Sequence, residues 1–189
     1  MNPGSTARKR GGALCWAAMP HAEAASIRLL ICDVDGVLTD GGYYYGPGGV
    51  EIKRFNTKDG LGLKLAMRSG LRVAILSARK GEATERRMAE LGIEHVVLGS
   101  SDKKRDLRRI CNANHVTPEE TAFIGDDLMD LAAMNSVGYA MAVADAAVEL
   151  QEASAYVTQK PGGHGAVREA VEHLLREAGR WEQIVDQLR

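Results

Sequence analysis

Two acidic clusters set the chemistry that this sequence can perform. Asp33-Val34-Asp35-Gly36 places two carboxylates two residues apart directly after an apolar run at 27–32, and Gly125-Asp126-Asp127, with Asp130 close behind, follows a second run at 122–124. Carboxylates at the ends of buried strands cannot all stay charged without a partner. A divalent cation is the economical partner, and Mg²⁺ prefers carboxylate oxygens, a backbone carbonyl and water. Helix capping is the competing role for Asp127 and Asp130. Ser77, with Ala78 and Arg79, follows the run at 73–76, and Lys103 follows the run at 95–98. A phosphoryl group needs such a hydroxyl and cation, because its equatorial oxygens gain negative charge that fixed donors must meet. Taken singly, Ser77 is a plausible helix cap and Lys103 belongs to the solvated run Asp102-Lys103-Lys104-Arg105.

The elements that position these residues follow from periodicity. Apolar runs at 27–32, 72–76, 94–98, 122–124 and 139–143 are each short enough to be strands buried on both faces, and helical patterns occupy 61–69, 82–91, 103–112 and 128–134. Gly70 and Gly92 stop the first two helices. Strands separated by helices of this length run parallel with right-handed crossovers, which predicts a doubly wound, mostly parallel, Rossmann-like α/β sheet. Both acidic clusters then share the carboxyl edge of the sheet, where ligands bind. One segment breaks the rhythm: 41–45 and 50–55 flank Gly46-Pro47-Gly48-Gly49 and read as a β-hairpin after the first strand. Tyr43, Tyr44 and Tyr45 make it a flap over the catalytic end or a subunit contact, an ordinary surface hairpin being the plainer reading. No insertion is long enough for a cap domain. The stretch 165–188 reads as helix broken at Gly179, leaving a helical tail at 179–189 to dock on the body or on a neighbour.

Composition limits the alternatives. At 189 residues the chain fits one globular domain, placed at 27–178. Lys plus Arg number 24 against 25 Asp plus Glu, so no global positive field recruits nucleic acid or an acidic membrane. No apolar run is long enough to span a membrane. Cys15, Cys32 and Cys111 are far apart and odd in number, which argues against zinc or disulfides and for a reducing cytoplasm. Residues 1–26 read as a flexible extension; Arg8-Lys9-Arg10 ahead of a weakly apolar stretch faintly imitates a signal peptide, but glycines and Pro20 interrupt it. His21, His95, His115 and His173 show no ligand spacing and read as surface or strand-end residues.

Asp33-x-Asp35-Gly36-x-x-x-Asp40, then Ser77, Lys103 and Gly125-Asp126-Asp127 in that order, resemble the haloacid dehalogenase superfamily of phosphohydrolases over 27–178. The resemblance implies a nucleophile at Asp33, a general acid/base at Asp35, a phosphoryl contact at Ser77 and a charge-neutralising Lys103. It also implies Mg²⁺ held by Asp33, the backbone carbonyl of Asp35, and Asp126. Physical chemistry agrees: attack by Asp33 splits one hard displacement into two, and an acid at Asp35 suits a poor alkoxide leaving group.

The chain is further similar to a capless branch of that superfamily, cytoplasmic phosphatases of sugar-acid phosphates that serve lipopolysaccharide precursor synthesis. Phe55-Asn56, Asp59-Gly60, Val143-Ala144-Asp145-Ala146 and Gly162-Gly163-x-Gly165-Ala166-Val167-Arg168-Glu169 carry the likeness. It implies a homotetramer whose interface the hairpin builds, with the glycine-rich tail approaching a neighbour's active site. It also implies substrate contacts at Asp35, Asn56, Thr57, Lys58, Asp59, Gly60, Lys64, Arg79, Arg87 and Lys103. Lys64, Arg79 and Arg87 suit a sugar carboxylate, and Asn56 and Asp59 suit hydroxyls. Ala78 stands where the branch has Gly, and His164 where it has Arg; a titratable residue in the tail predicts weaker anchoring above about pH 6.5 if the tail reaches a neighbour. A nine-carbon sugar-acid phosphate offers the same groups as an eight-carbon one. A noncatalytic assembly domain, of the kind fused to nucleotide-sugar synthetases, and a phospho-accepting receiver domain are the rival classes. The intact set of nucleophile, acid, lysine and Gly-Asp-Asp argues against the first, and Asp35, the hairpin and the basic residues argue against the second.

Overall fold

A strand covered on both faces must be apolar at every position, and Leu29–Cys32 (β1) meets that demand with four side chains of zero exposure. The computed structural model describes residues 22–189. After β1 come the hairpin strands Tyr44–Tyr45 (β2) and Glu51–Ile52 (β3), then Thr57–Arg68 (α1), Arg72–Ser77 (β4), Glu82–Leu91 (α2), His95–Leu98 (β5) and Lys103–Ala113 (α3). Thr121–Gly125 (β6), Leu131–Met134 (α4), Tyr139–Ala142 (β7), Val148–Ala153 (α5), Tyr156–Val157 (β8), Ala166–Glu177 (α6) and Trp181–Asp186 (α7) complete the chain.

Six strands form one parallel sheet in the order β5-β4-β1-β6-β7-β8. Leu29 lies opposite Arg72 on one side and Thr121 on the other. The chain runs outward from β1 through β4 to β5, then returns to the far side of β1 and continues outward from β6. The order therefore reverses between β1 and β6, and the crevice at their carboxyl ends is where such sheets bind ligands. α1 packs on α6 and α3 on α4. The first contact is close because Gly62 has no side chain: a Cβ there would lie 3.1 Å from the Arg168 Cα.

The doubly wound reading therefore stands, with a main sheet that is wholly parallel. β8 and α5 were not anticipated, since two and six residues are too short for periodicity to register. α1 begins four residues earlier than its apolar stripe, because Asn56 Oδ1 accepts from the Lys58 amide at 2.8 Å and caps it. The hairpin is small: Tyr44 pairs with Ile52 and Tyr45 with Glu51 around a 3-10 turn at Pro47–Gly49.

Residues 22–26, which the sequence assigns to the extension, belong to the body: the Ala22 amide donates to Gly138 O at 2.6 Å and Ala24 is buried. The rest of the extension, with its signal-like stretch and His21, lies outside the described residues. The 179–189 tail docks on its own chain, burying Trp181 and Ile184, with Arg168 and Arg176 each 5.2 Å from the Trp181 ring. His173 corrects its surface reading: it stacks on Tyr156 at 4.0 Å and shares a 2.8 Å hydrogen bond with the Tyr139 hydroxyl. Among the described residues, no helix is long and apolar enough to cross a membrane.

Candidate active site

Four strand ends deliver the reactive groups to one cleft. Asp33 continues β1, its amide donating to Ile124 O at 3.1 Å across to β6. Asp126 directly follows β6, Ser77 ends β4, and Lys103 opens α3 just beyond β5. Gly36 lets the two acidic loops close on each other: its φ is +85°, and a Cβ there would sit 1.9 Å from Asp126 Oδ2. Asp33, Asp35, Tyr43, Ser77, Ala78, Arg79, Lys103, Asp126, Asp127 and Asp130 line a cleft of about 260 Å³.

Its floor is a buried charge cluster. The Lys103 ammonium is 3.0 Å from Asp33 Oδ1 and 2.5 Å from Asp130 Oδ1. A cation in the first turn of α3 opposes the helix dipole; the two carboxylates compensate. Burial lowers the Lys103 pKa, but Asp33 and Asp130 outweigh it and hold the group above its ordinary range. Burial, followed by the charge of Asp130, pushes the Asp33 carboxyl up to about 7 against the pull of Lys103. Asp126 rises to about 7 from burial and the charges of Asp33, Asp130 and Asp127. Ser77 Oγ accepts from the Arg79 amide at 3.2 Å, leaving its hydroxyl hydrogen to donate.

Carboxylate oxygens of Asp33, Asp126 and Asp130 lie within 4.8 Å of one another, and the buried Asp33 Oδ1 faces only the Lys103 ammonium, 3.0 Å away. An all-oxygen set of three carboxylates with a single ammonium to offset them fits Mg²⁺. Asp130 is already committed, Oδ1 to Lys103 and Oδ2 to the Asp126 amide at 3.1 Å. It steadies both neighbours, which leaves Asp33 and Asp126 as the carboxylates free to turn toward a cation. Sequence alone places Asp130 in the second acidic cluster with capping as its competing role, and gives no sign of its hold on Lys103. Lys53, whose Nζ lies 2.6 Å from Asp35 Oδ1, was missed altogether, since a lysine beside Arg54 just past a short strand carries no signal.

These shifts give a signed pH dependence. A carboxyl whose folded pKa is raised binds its proton more tightly in the native state, so its stabilising contribution is complete below the unfolded value and is lost as pH rises through about 7. Mg²⁺ needs the ionised forms. Metal-free protein is therefore expected to melt progressively lower from pH 5 to 8, and millimolar Mg²⁺ to raise the melting temperature by several degrees at pH 8 and scarcely at pH 5. Thermal scans with and without Mg²⁺ check this, and an equal metal effect at both pH values would contradict it.

The cleft gathers Asp33, Asp35, Ser77, Arg79, Lys103 and Asp126, whereas Asn56, Thr57, Lys58, Asp59, Gly60, Lys64 and Arg87 do not line it. Arg79 is held by Glu51 at 3.2 Å and lies 4.0 Å over the Tyr43 ring. Arg87 lies close over Gly60 and pairs with Glu90 at 3.4 Å. Thr57, Lys58 and Lys64 are exposed on α1. Asn56 caps α1 and donates to Gly163 O at 3.4 Å.

Asp59 is 1 % exposed, and its two oxygens accept from the Gly165 amide at 3.2 Å and the Arg168 amide at 2.7 Å, tying down the start of α6. Asp59→Ala is expected to cost about 1–2 kcal/mol of stability, read as a lowered melting temperature, with KM unchanged.

The glycine-rich stretch packs on its own chain. Gly162 and Gly163 lie against this chain's own catalytic loop, where a Cβ at Gly162 would meet Gly36 O at 1.7 Å and the Gly163 amide donates to Val37 O at 2.9 Å. His164 faces Arg54 at 3.3 Å. A guanidinium only donates, so Nε2 accepts and Nδ1 carries the hydrogen given to Gly162 O at 2.8 Å.

A doubly wound sheet with paired aspartates at its switch point, and a serine, a lysine and Gly-Asp-Asp at the same edge, has the architecture of haloacid dehalogenase-type hydrolases. The model for haloacid dehalogenase-like hydrolases matches residues 95–170. The 3-deoxy-D-manno-octulosonate 8-phosphate phosphatase of Escherichia coli K12 is 44% identical over 166 residues, 88% of each chain. The crystal structure of the Yersinia pestis phosphatase of that name has a TM-score of 0.83 at 44% identity, covering 85% of this chain and 86% of that one. The Moraxella catarrhalis phosphatase, solved with magnesium, phosphate and KDO, has a TM-score of 0.86 at 36% identity, covering 88% and 96%. The chain belongs to the 3-deoxy-D-manno-octulosonate 8-phosphate phosphatase family.

Proposed function

We propose that the protein hydrolyses 3-deoxy-D-manno-octulosonate 8-phosphate to the free sugar acid and phosphate, in the cytoplasm, as a step toward lipopolysaccharide precursors. The observation that carries the reading is the separation of two neighbouring carboxylates into different environments: Asp33 is set against Lys103 and Asp130, and Asp35 against Lys53. Environment divides the roles of paired carboxylates.

Asp33 attacks phosphorus in line and forms an aspartyl phosphate as the P–O bond to the sugar breaks. Asp35 gives its proton to the departing alkoxide, then takes one from the water that cleaves the aspartyl phosphate. Ser77 donates to a phosphoryl oxygen and Lys103 offsets the charge of Asp33 and the phosphate, without which two anions could not approach. Mg²⁺, held by Asp33, Asp126 and the Asp35 backbone carbonyl, supplies further charge neutralisation when bound.

A cleft of about 260 Å³ takes the phosphate and part of the sugar, but is smaller than sites that enclose a whole ligand. The rest must be covered by another surface. Exposed Tyr44, Tyr45, Val50 and Ile52 give the hairpin an apolar face suited to a second copy. In the homotetramer proposed here, exposed Thr57, Lys58 and Lys64 serve substrate bound in a neighbour's cleft.

Mg²⁺-dependent phosphate release is measured from the eight-carbon substrate beside N-acylneuraminate 9-phosphate and hexose phosphates. Selective release from the eight-carbon acid is expected. Preference for the nine-carbon acid would move the substrate assignment, and no release from any would overturn the catalytic reading in favour of an assembly domain.

A further inference from the structure

Asp35 reaches the cleft with one oxygen spoken for. Its Oδ1 accepts from Lys53 Nζ at 2.6 Å, while Oδ2 is buried and has no hydrogen-bond partner. The Lys53 side chain is only 1 % exposed, although its backbone belongs to a surface hairpin. Burial of a flexible ammonium needs compensation, and the surroundings supply it: Glu51 Oε1 lies 3.6 Å away on the other side, and the Tyr43 ring centroid is 5.6 Å from Nζ. Glu51 in turn holds Arg79 at 3.2 Å, and Arg79 closes the circuit over Tyr43. The base of the hairpin thus forms a charged clasp around one side of the catalytic loop.

We propose that Lys53 is a positioning residue for the acid/base step, fixing Asp35 through Oδ1 so that Oδ2 is the oxygen that carries and delivers the proton. The inference rests on the phosphatase reading above. An ammonium donates to Oδ1, so in the acid form Oδ1 is the carbonyl oxygen and the hydrogen sits on Oδ2. As the sugar–oxygen–phosphorus linkage breaks, the Oδ2 proton goes to the leaving oxygen, the phosphoryl group goes to Asp33, and Asp35 is left as a carboxylate. When water attacks the aspartyl phosphate, Oδ2 takes the proton back, Asp33 is released and inorganic phosphate leaves. A carboxylate free to turn about its side-chain bonds would present the proton in that direction only part of the time, and small misplacements of a catalytic group cost rate steeply.

The hairpin acquires a second task from this geometry. It carries the apolar face suited to another copy of the chain, and it carries the ammonium that orients the acid. Closure of the oligomer and alignment of Asp35 are then mechanically joined through one short stretch of backbone.

The test separates orientation of the acid from binding and folding by varying the leaving group. Lys53→Met and Lys53→Arg are compared with the unaltered enzyme on an alkyl phosphate that the latter turns over and on p-nitrophenyl phosphate, whose phenolate leaves without a proton. For Lys53→Met, kcat on the alkyl phosphate is expected to fall about 100-fold with KM changed less than about threefold. The rapid first release of p-nitrophenolate should stay within about threefold of normal, while aspartyl phosphate accumulates because its hydrolysis still needs Asp35. Lys53→Arg, which keeps a donor to Oδ1, should recover at least about a tenth of the lost rate. Equal losses on both substrates would mean general distortion, and a change confined to KM would make Lys53 a substrate-binding residue; either overturns the proposal. Failure of the unaltered enzyme on 3-deoxy-D-manno-octulosonate 8-phosphate, with turnover of another alkyl phosphate, would remove the substrate assignment and leave the Lys53 comparison intact.

Discussion

Asp33→Asn is expected to abolish phosphate release, by at least about 10⁴-fold, and at the same time to raise the melting temperature of the metal-free protein at pH 8. The loss of rate follows from the chemistry: an amide neither attacks phosphorus as a carboxylate does nor leaves as one when water cleaves the intermediate. The gain in stability follows from the charge balance of the cleft, which is lined by five carboxylates and two cations. Asp33 is 6 % exposed, and burial with Asp130 holds its carboxyl up to about 7 against the pull of Lys103. At pH 8 the native state must ionise a group that the unfolded chain ionises near pH 4, which costs on the order of a few kcal/mol. Asn fills the same volume without the charge, so several degrees of melting temperature should be recovered at pH 8 and little at pH 5. Adding Mg²⁺ should narrow or reverse the order, because only the carboxylate form has its full ligand set. Calorimetry of both proteins at the two pH values, beside a phosphate-release assay, reads all of this. Residual activity above about a hundredth of normal would reassign the nucleophile.

How much of this was legible in the sequence depended on whether a residue's role was local or assembled by the fold. Leu29–Cys32 could be recognised as a central strand because every position is apolar, and the alternation with helices gave direction and layer. Asp33, Ser77, Lys103 and Asp126 could be placed together because a parallel sheet brings successive strand ends to one edge. Asp130 was half legible: its spacing from Asp126 was visible, but its hold on Lys103 across 27 residues was not. The structural role of Asp59 was hidden for the same reason, since its partners, the Gly165 and Arg168 amides, lie more than a hundred residues away and make it a cap for a distant helix. The resemblance carries the Gly162-Gly163 stretch toward a neighbour and says nothing of the Gly36 carbonyl of its own chain, 1.7 Å from where a Cβ on Gly162 would sit. Lys53 had no sequence signature, since a cation between Glu51 and Arg54 in a hairpin looks solvated until the fold buries its side chain.

Lys103→Met should also stop turnover, by about 10³-fold, but it should move stability the other way. The ammonium touches Asp33 at 3.0 Å and Asp130 at 2.5 Å, with side chains 5 %, 9 % and 1 % exposed. Removing one member of such a buried set leaves the others uncompensated, and costs about 3–5 kcal/mol where breaking a buried pair has been studied. The loss should depend on pH with a definite sign. The folded pKa of Lys103 is raised, so its stabilising contribution is complete throughout the range below about 10. Within that range it is the carboxylates that vary: at pH 5 Asp33 and Asp126 take up protons readily, whereas at pH 8 they must stand ionised beside one another. The deficit of Lys103→Met relative to the unaltered protein should therefore widen from pH 5 to 8 in the absence of metal. Lys103→Arg should regain much of the stability and little of the rate, because a planar fork keeps the charge but cannot occupy the point between two carboxylates that an ammonium fills. If Lys103→Met instead melts like the unaltered protein at both pH values while losing activity, the lysine serves the substrate alone. The two substitutions thus disable one reaction while shifting stability in opposite directions. That sign difference distinguishes a site strained by excess negative charge from one whose acids and bases merely balance.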